Sequence, residues 1–406
     1  MRILVLSNFY PPHFIGGYEL GCRDVVDGLK RLGHDVNVLT STHGLKTAKQ
    51  SDGIYRWLES DLGLSLDGSS ADLLKIFKKE SENQRAFARV CREFAPEVLY
   101  VWNATHISIS LALNAQRRGL QVCYFISDHW LSEWEKDALY SLKLRSPRKL
   151  HRRLLWKSLL ASLKISGLLP NECLDLANVH FASRYLKDEA IGARKAVSNA
   201  EVIYWGVDVN RFQPKKHAGN ARRLLYVGQL THHKGVHTAV QALKTIIADP
   251  RHPSTTLTIV GGPDYENRVH QLVDSLGLEQ NIRFTGLVPR DQLPRIYEEH
   301  DILLFPSIWE EPFSLTLLEA MSSGLAVVGT DTGGTSEILK HEVNGLIFPK
   351  EDVSECARQV IRLLEDAELL EAMGRQGRST VEDYFRIDQM VDRIDAGLKK
   401  AVNLDS

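Results

Sequence analysis

The stretch DILLFPSIWEEPFSLTLLEA, residues 301–320, decides the fold prediction because it joins a strand, a polar loop and a helix. Its apolar run Ile302–Phe305 is short and bounded by turn residues, which predicts a buried strand. Ser314 stands where a helix N-cap is expected, and the residues after it predict a helix over 314–323. The loop PSIWEEPF therefore lies at the carboxyl end of a strand, directly before a helix.

The same order of strand, turn and helix recurs along the chain in two series. Such alternation is typical of parallel sheets covered by helices on both faces. The first series includes a helix over Tyr18–Leu32 that ends at Gly33. The predicted strands are Arg2–Leu6, Asp35–Leu39, Val98–Trp102, Val122–Ile126 and Val179–Ala182 in the first series, and Leu224–Val227, Leu257–Val260, Ile282–Thr285, Ile302–Phe305, Ala326–Gly329 and Leu346–Phe348 in the second.

These series predict an α/β protein with two Rossmann-like, doubly wound parallel-sheet domains that face a cleft. We place the domains at residues 1–204 and 205–384, with a polar linker near 205–222. Apolar positions recur every three or four residues from Ile387 onward, so a C-terminal helix, about 385–406, is predicted to pack back on the first domain. Ligands of open parallel sheets bind beyond the carboxyl ends of the strands, so the loops there form the candidate site.

Composition excludes several classes of protein. The 406-residue chain has a formal net charge of −1, which gives no overall attraction to nucleic acid. Its five cysteines are an odd number without a Cys-x-x-Cys pair, which is typical of reduced thiols in a cytosolic protein. The N-terminus is better explained by a first strand than by a signal peptide. No stretch approaches the roughly 20 apolar residues that span a bilayer. From the cysteines we predict a cytoplasmic protein.

The opening stretch also carries candidate chemistry. Free amides at a helix N-terminus, together with the helix dipole, bind anions such as a diphosphate. Glu319, about a turn and a half down the helix, can accept hydrogen bonds from a ribose diol. Glu311 precedes the helix; the plainer alternative is that both carboxylates are merely solvated. The predicted amide donors are those of Phe313, Ser314, Leu315 and Thr316.

Other strand-end turns point to the same chemistry. Lys234 opens a helix, where an ammonium can neutralise the charge that develops on a phosphate leaving group. Gly261 follows a strand and allows close backbone approach, and Gly16 and Gly17 follow the first strand. Taken singly, each of these positions is equally well explained as an ordinary turn or helix start.

Five stretches of the second domain resemble the retaining GT-B glycosyltransferases of family 4: GQLTHHKG, GGPDYENRVHQLVDSLGL, IRFTGLVPRDQLPRIYEEHDILLFPS, EEPFSLTLLEAMSSGLAVVGTDTGGTSEIL and NGLIF. The first domain is similar more loosely, through SNFYPPHFIGGYEL, LKRLGHDVNVLT, FASRYLKD and GVDVNRFQP. The resemblance implies a GT-B architecture. Its first domain would bind the acceptor and its second domain a nucleotide sugar.

The resemblance also implies roles for individual residues. Glu311 matches the first Glu of the family's Glu-x7-Glu, beside the donor sugar and the reacting centre, and Glu319 matches the ribose-binding Glu. Lys234 matches the diphosphate Lys. The positions matching the family's backbone contacts to diphosphate, sugar and base are Gly16, Gly17, Val288, Phe313, Ser314 and Leu315. The family transfers its sugar with retention and needs no metal, and the absence of any Asp-x-Asp pair from the chain agrees with this.

One departure concerns charge in the diphosphate pocket. The family usually carries Arg where this chain has Gln229, so one positive charge is missing. His232 or His233 could supply part of it, or both are exposed loop histidines. A metal held by His232, His233 and His237 is not predicted, because no carboxylate follows at ligand spacing.

A second departure lies in FISDHW, where the family often has a His-Asp pair after the strand. Ser127 takes the position of that His. Asp128 and His129 follow at the strand end, and we take them, with Glu311 and Lys234, as the candidate catalytic residues.

The acceptor side is less defined. Trp102, Trp130 and Trp134 follow first-domain strands, where they could stack on a sugar or belong to the core. Between residues 143 and 164 a run of Lys and Arg without acids interleaves with leucines. This pattern is typical either of a helix that contacts anionic lipid or of a solvated helix with its apolar side in the core.

We therefore predict a retaining, metal-independent hexosyltransferase. Its donor would be UDP-glucose or a related UDP-sugar, and its acceptor a saccharide or lipid-linked saccharide in bacterial polysaccharide or glycoconjugate synthesis. The cytoplasmic protein would touch the inner face of the membrane at most peripherally, and no nucleic-acid partner is expected. The alternatives are a GT-B epimerase or phosphorylase, and a sugar-nucleotide-binding scaffold whose activity lapsed with the missing Arg.

Overall fold

The computed structural model describes residues 1–62, 70–133, 157, 158, 161, 174–197, 200–214, 223–262, 264 and 267–402. The chain folds into two compact units. The first comprises Met1–Ala182, Leu186–Ile203 and Val391–Ser406, and the second comprises Ser183–Tyr185 and Tyr204–Met390.

The described part of the first unit is built on an eight-stranded sheet in the order β3-β4-β2-β1-β5-β6-β7-β8. Its strands are parallel except for β3, which pairs antiparallel with β4. The strands are β1 Arg2–Ser7, β2 Asp35–Ser41, β3 Lys49–Ser51, β4 Ile54–Leu58, β5 Val98–Asn103, β6 Gln121–Ile126, β7 Val179–Phe181 and β8 Glu201–Val202. The helices are α1 Gly17–Arg31, α2 Ser70–Phe94, α3 Ser110–Arg117 and α4 Arg184–Gly192.

Local sequence explains these elements. β5 is buried at every position, which is why it appears in the sequence as a continuous apolar run. Helix α1 stops where predicted: Gly33 has a φ of +88°, and its amide donates to the carbonyl of Lys30 at 3.0 Å. Strands β3, β4 and β8 are not among the predicted strands, because they are short or half polar.

The described part of the second unit carries a six-stranded, fully parallel sheet in the order β11-β10-β9-β12-β13-β14. The strands are β9 Arg223–Val227, β10 Thr256–Val260, β11 Ile282–Gly286, β12 Ile302–Phe305, β13 Ala326–Gly329 and β14 Leu346–Ile347. The helices are α5 Val236–Ala248, α6 Arg268–Leu276, α7 Leu293–Glu298, α8 Leu315–Ser322, α9 Val353–Glu365, α10 Ala367–Tyr384 and α11 Ile387–Ala401. Helix α11 continues into the first unit from Val391 onward.

The two sheets share one topology. Numbered by their order in the chain, the six strands of the second sheet lie side by side as 3-2-1-4-5-6. When β3 and β8 are left out, the remaining six strands of the first sheet lie in the same order. This is the doubly wound Rossmann order, which confirms the predicted fold class. Ligands in such sheets bind where the strand order reverses. In the second unit that point lies between β9 and β12, so the loops after these strands define the candidate site.

The described residues include no helix with both the length and the apolar character needed to cross a bilayer.

A buried histidine marks the close packing of α11 in the first unit. His180 on β7 is 6% exposed, and its Nδ1 has no hydrogen-bond partner among the described residues. A Cβ added at Gly397 would lie 2.4 Å from the His180 ring, so only glycine fits there. Burial lowers the pKa of His180 to about 4, and the positive charge of Arg393 acts in the same direction while Glu201 opposes it.

We predict that the first unit loses stability as the pH falls below about 6.5. The folded pKa of His180 lies below its ordinary value, so the unfolded chain binds the proton first. The stabilisation is fully present above the ordinary pKa and is lost between there and about pH 4. Linkage gives a loss of roughly 2 kcal/mol between pH 8 and pH 5. In His180→Phe, whose side chain cannot titrate, the urea midpoint should fall less between pH 8 and pH 5 than it does in the wild type.

His270→Gln is the matched control, because it removes a half-exposed histidine of the second unit. It should keep the wild-type pH dependence. An equal fall of the midpoint in His180→Phe and in the wild type would contradict the prediction.

Candidate functional site

The centre of the site is a contact between the two residues that the sequence had singled out for different tasks. Lys234 Nζ lies 2.8 and 3.0 Å from the two carboxylate oxygens of Glu311. Ser307 Oγ donates to Glu311 Oε1 at 2.7 Å. Glu311 is only 5% exposed, and a carboxylate is costly to bury unless donors compensate it. Lys234 and Ser307 therefore make the burial of Glu311 possible.

The loops that carry this pair are also joined through their backbones. The carbonyl of His233 accepts hydrogen bonds from the amides of Ile308 at 2.9 Å and Trp309 at 3.0 Å. The Lys234 ammonium lies 4.3 Å from the centre of the Trp309 ring, within the range of a cation–π contact. Ser307 and Trp309 are not among the predicted site residues, because single loop residues give no periodic signal.

Helix α8 begins as predicted. Ser314 is its N-cap, and Ser314 Oγ accepts a hydrogen bond from the amide of Leu317 at 3.3 Å. Helix geometry leaves the amides of Leu315 and Thr316 without an intrahelical acceptor, and both residues are half-buried. Phe313 is buried and stacks on Tyr204 at 5.7 Å between ring centres, so its side chain anchors the loop.

Glu319 lies further along the same helix and is 5% exposed. Tyr297 Oη donates to Glu319 Oε2 at 3.1 Å, and Arg290 Nη2 lies 3.9 Å from Oε1. Burial, with the negative charge of Glu319, holds the pKa of Tyr297 well above its usual 10, so the phenol stays a donor. Tyr297 and Arg290, which come from α7 and from the loop before it, are not among the predicted site residues.

Two glycines at strand ends have structural reasons for their presence. Gly261 has a φ of +144°, and a Cβ there would lie 1.8 Å from the carbonyl oxygen of Gly228. Gly235 has a φ of +71°, and a Cβ would lie 1.7 Å from the carbonyl oxygen of Pro306. Gly235 therefore permits the close approach of the loops after β9 and β12. Val288 is half-buried in the loop after β11.

Gln229, which stands where the resembling family usually carries Arg, is exposed. Its backbone carbonyl accepts a hydrogen bond from Tyr226 Oη at 2.8 Å. His232 and His233 are exposed, as one of the two interpretations held. Burial and the charge of Lys234 lower the pKa of His233, so this imidazole supplies no full charge at neutral pH.

The spacing argument against a metal site is wrong in one respect. Glu351, more than a hundred residues further along the chain, lies 3.9 Å from His232 and 3.8 Å from His237. A carboxylate from another loop can thus join histidines that no nearby carboxylate accompanies.

The glycine loop of the first unit leads into α1. The Glu19 carboxylate is fully buried and accepts hydrogen bonds from the amides of Ile15 at 3.1 Å and Gly16 at 3.0 Å. Burial raises the pKa of Glu19. The Gly16 amide is thus already engaged within the chain, whereas Gly17 is the first residue of the helix.

The predicted catalytic residues of the first unit are held by neighbours. Asn103 Nδ2 donates to Asp128 at 2.7 Å, and the amide of Trp130 donates to it at 2.9 Å. Desolvation raises the pKa of Asp128 to about 6. His129 Nδ1 lies 2.6 Å from Glu189 Oε2 in α4.

The structure decides between the two explanations of the tryptophans for Trp102 and Trp130. Trp102 is 1% exposed and stacks on Phe125 at 4.4 Å, and Trp130 is 8% exposed, so both belong to the core. Trp134 and, apart from residues 157, 158 and 161, the basic segment 143–164 lie outside the described residues.

The first unit carries another polar cluster, which joins the loop after β4, helix α2 and the loop after β5. Asp61 contacts both Lys79 Nζ at 2.6 Å and His106 Nδ1 at 2.9 Å. Asp61 and Lys79 are buried, whereas a third of the His106 side chain is exposed. His106 has a φ of +67°, an uncommon conformation that indicates local constraint. No motif in the sequence connects these residues.

Two family models of known proteins match this chain, one in each half. The family model "Glycosyltransferase Family 4" matches residues 15–211, and the model "Glycosyl transferases group 1" matches residues 209–380. A glycosyltransferase of Methanocaldococcus jannaschii, MJ1607, described as uncharacterized, is 25% identical over 407 residues, which cover 96% of each chain.

Solved structures agree on the fold. Sucrose-phosphate synthase from Thermosynechococcus elongatus matches with a TM-score of 0.73 at 20% identity, covering all of both chains. Anabaena HepE, solved in complex with UDP and glucose, matches with a TM-score of 0.70 at 19% identity, covering 98% of this chain and 99% of its own. These matches confirm the GT-B fold.

We predict that Lys234→Met lowers the free energy of unfolding by roughly 2 to 3 kcal/mol, because it leaves a buried carboxylate without its charged partner. Lys234→Met with Glu311→Gln should recover much of this loss. The measurement is urea titration of the single and double variants.

The exposed pair Lys350–Glu310 provides the control, since both side chains are at least 40% exposed. Lys350→Met should cost less than about 1 kcal/mol. If Lys234→Met lowers the free energy of unfolding by no more than Lys350→Met does, the contact with Glu311 stabilises the fold no more than an exposed ion pair does.

Proposed function

Because the chain belongs to the GT-B glycosyltransferases of family 4, we propose that it transfers a hexosyl group from a UDP-sugar, with UDP-glucose as the first candidate. The acceptor is a hydroxyl of a saccharide or lipid-linked saccharide, and the anomeric configuration is retained. The transfer step uses no divalent metal. The proposal assigns the protein to the cytoplasm and to the synthesis of a bacterial polysaccharide or glycoconjugate.

One arrangement carries this proposal: the Lys234–Glu311 pair beside the N-terminus of α8, with Glu319 further down the same helix. An ammonium has three N–H donors, and Glu311 takes two of them, so one is left for a phosphate oxygen. The amides of Leu315 and Thr316 add donors of the kind that bind phosphates at helix N-termini. In this region at the strand ends, Lys234 and the amides could bind the diphosphate, Glu311 the sugar and Glu319 the ribose.

The chemistry follows from these groups. The bond between the anomeric carbon and the leaving phosphate oxygen breaks, and the acceptor oxygen bonds to that carbon on the same face. The acceptor proton passes to an oxygen of the departing diphosphate. Lys234 and the start of α8 stabilise the negative charge on the diphosphate, and Glu311 orients the hydroxyls of the donor sugar.

UDP-glucose is the donor to test first, since the HepE structure with the same fold holds UDP and glucose. The purified chain would be incubated with UDP-glucose, UDP-galactose or GDP-mannose and a panel of saccharide and lipid-linked acceptors. Release of UDP only when an acceptor is present supports transfer, and the proton coupling of the new anomeric centre reports retention. An inverted product, or donor binding without transfer to any acceptor, would contradict the proposal, the latter in favour of a scaffold.

We predict that Glu311→Gln lowers kcat by roughly two orders of magnitude or more, because the donor sugar loses a charged orienting group in the transition state. The amide keeps the size of the side chain, so the thermal midpoint should change much less than activity. Lys350→Met, at the exposed neighbouring pair, is the control and should retain activity. Wild-type turnover in Glu311→Gln would refute the role of Glu311.

We predict that Glu319→Gln mainly raises the donor KM, by about tenfold or more, because it removes a charged acceptor of two ribose hydroxyls. The effect should largely vanish with a donor whose ribose lacks these hydroxyls. Tyr297→Phe controls for disturbance of the same corner, since it removes a hydrogen bond to Glu319 but keeps the carboxylate. An equal penalty with the normal and the deoxygenated donor would exclude a ribose contact.

A further inference from the structure

Two histidines and a glutamate converge beside the turn that carries Lys234. His232 opens the short 3-10 turn His232–Lys234, His237 lies in the first turn of α5, and Glu351 lies in the loop between β14 and α9. The ligand atoms of all three residues lie within 4.8 Å of one another. The His232 and His237 rings are nearly parallel, with centres 4.5 Å apart.

We propose that His232, His237 and Glu351 bind a zinc ion. Two imidazoles and one carboxylate are a donor set that zinc uses in proteins, with a water molecule in the fourth position. Tetrahedral zinc with bonds of about 2.0 to 2.1 Å places its ligand atoms about 3.3 Å apart. Glu351 Oε1 stands 3.9 Å from His232 Nε2 and 3.8 Å from His237 Nε2, so each of these two distances must shorten by about half an ångström. The ligand atoms of the two histidines lie within 4.8 Å of each other and must approach to the same separation of about 3.3 Å.

The residues are free to make that adjustment. The His232 side chain is 72% exposed and that of Glu351 is 54% exposed, so both can change rotamer without disturbing a core. His237 is three-quarters buried on a helix and fixes the position of the site.

A second cluster of similar composition is not a comparable metal site. Asp249, His252 and Glu365 also lie close together. Arg251 contacts both carboxylates of this cluster, at 2.5 Å from Asp249 and still closer to Glu365. The guanidinium therefore already occupies the place that a cation would take.

Zinc at His232, His237 and Glu351 has a consequence for Lys234. Its ligands flank Lys234 in the chain, and the carbonyl of His233 holds the loop of Trp309. The ion would tie this turn to the loop before α9 and add two positive charges near a pocket in which Gln229 brings none. Donor affinity should rise with zinc, a consequence that rests on the proposed function, whereas the metal site itself does not. No step of the transfer passes through the ion.

The test uses the full chain without a histidine tag, stripped with a chelator. Zinc is titrated against a fluorescent chelator, and cobalt replaces it for a visible absorption spectrum of tetrahedral coordination. We expect one zinc per chain, bound at least about tenfold more weakly in His237→Ala and in Glu351→Gln. His270→Gln removes a histidine that contacts one carboxylate, Asp264, and should bind zinc as the wild type does. Magnesium, which prefers oxygen ligands, should not compete.

Zinc binding that persists unchanged in both ligand variants, or that is absent at micromolar zinc, overturns the site. Calorimetry with UDP-glucose then tests the coupling, and zinc should lower the Kd of UDP-glucose about fivefold or more in the wild type but not in Glu351→Gln. Zinc that binds without changing the affinity for UDP-glucose overturns the coupling. A chain that binds zinc but neither UDP-glucose nor another nucleotide sugar refutes the donor site of the proposed function instead.

Discussion

The contact between Lys234 and Glu311 is the constraint on which the candidate site depends. The two residues come from different loops, and they meet because β9 and β12 are neighbours at the point where the strand order reverses. Gly235 lets the first loop approach Pro306, which no residue with a Cβ could do in that conformation. The backbone bonds from Ile308 and Trp309 to His233 then fix the distance between the loops. The parallel topology and one glycine thus determine where the charges meet.

The first unit shows that this topology does not dictate the chemistry. Its sheet has the same order of core strands, yet the loops after β4 and β5 bring Asp61 into contact with Lys79 and His106. In the glycine loop after β1, the Gly16 amide donates its hydrogen bond to the buried Glu19 carboxylate. A fold supplies strand ends and loops at defined places, and the residues in those loops decide what is bound.

Prediction from sequence was strongest where the physical signal is local. Strands buried on both faces, such as β12, and the N-cap Ser314 can be predicted from short patterns, because burial and capping depend on nearby residues. It was weakest where residues distant in the chain meet. The pairing of Lys234 with Glu311 follows from strand order, which no local pattern encodes. Trp102 shows the same limit, since only tertiary packing decides whether an aromatic ring at the end of a strand is buried in the core or exposed to a ligand.

The position of Gln229 has an electrostatic consequence for the site. A diphosphate brings about two negative charges, while the N-terminus of a helix contributes roughly half a positive charge. Lys234 adds one positive charge but already faces Glu311, and the lowered pKa of His233 keeps that imidazole from adding another at neutral pH. Positive charge is therefore scarce beside Lys234, and if the proposed donor binds there, its affinity is the property most sensitive to an added cation. His232 and His237 flank Lys234 in the chain, so in the proposed donor site a cation held by them would act on the affinity for the donor and would leave the proposed role of Glu311 at the sugar unchanged.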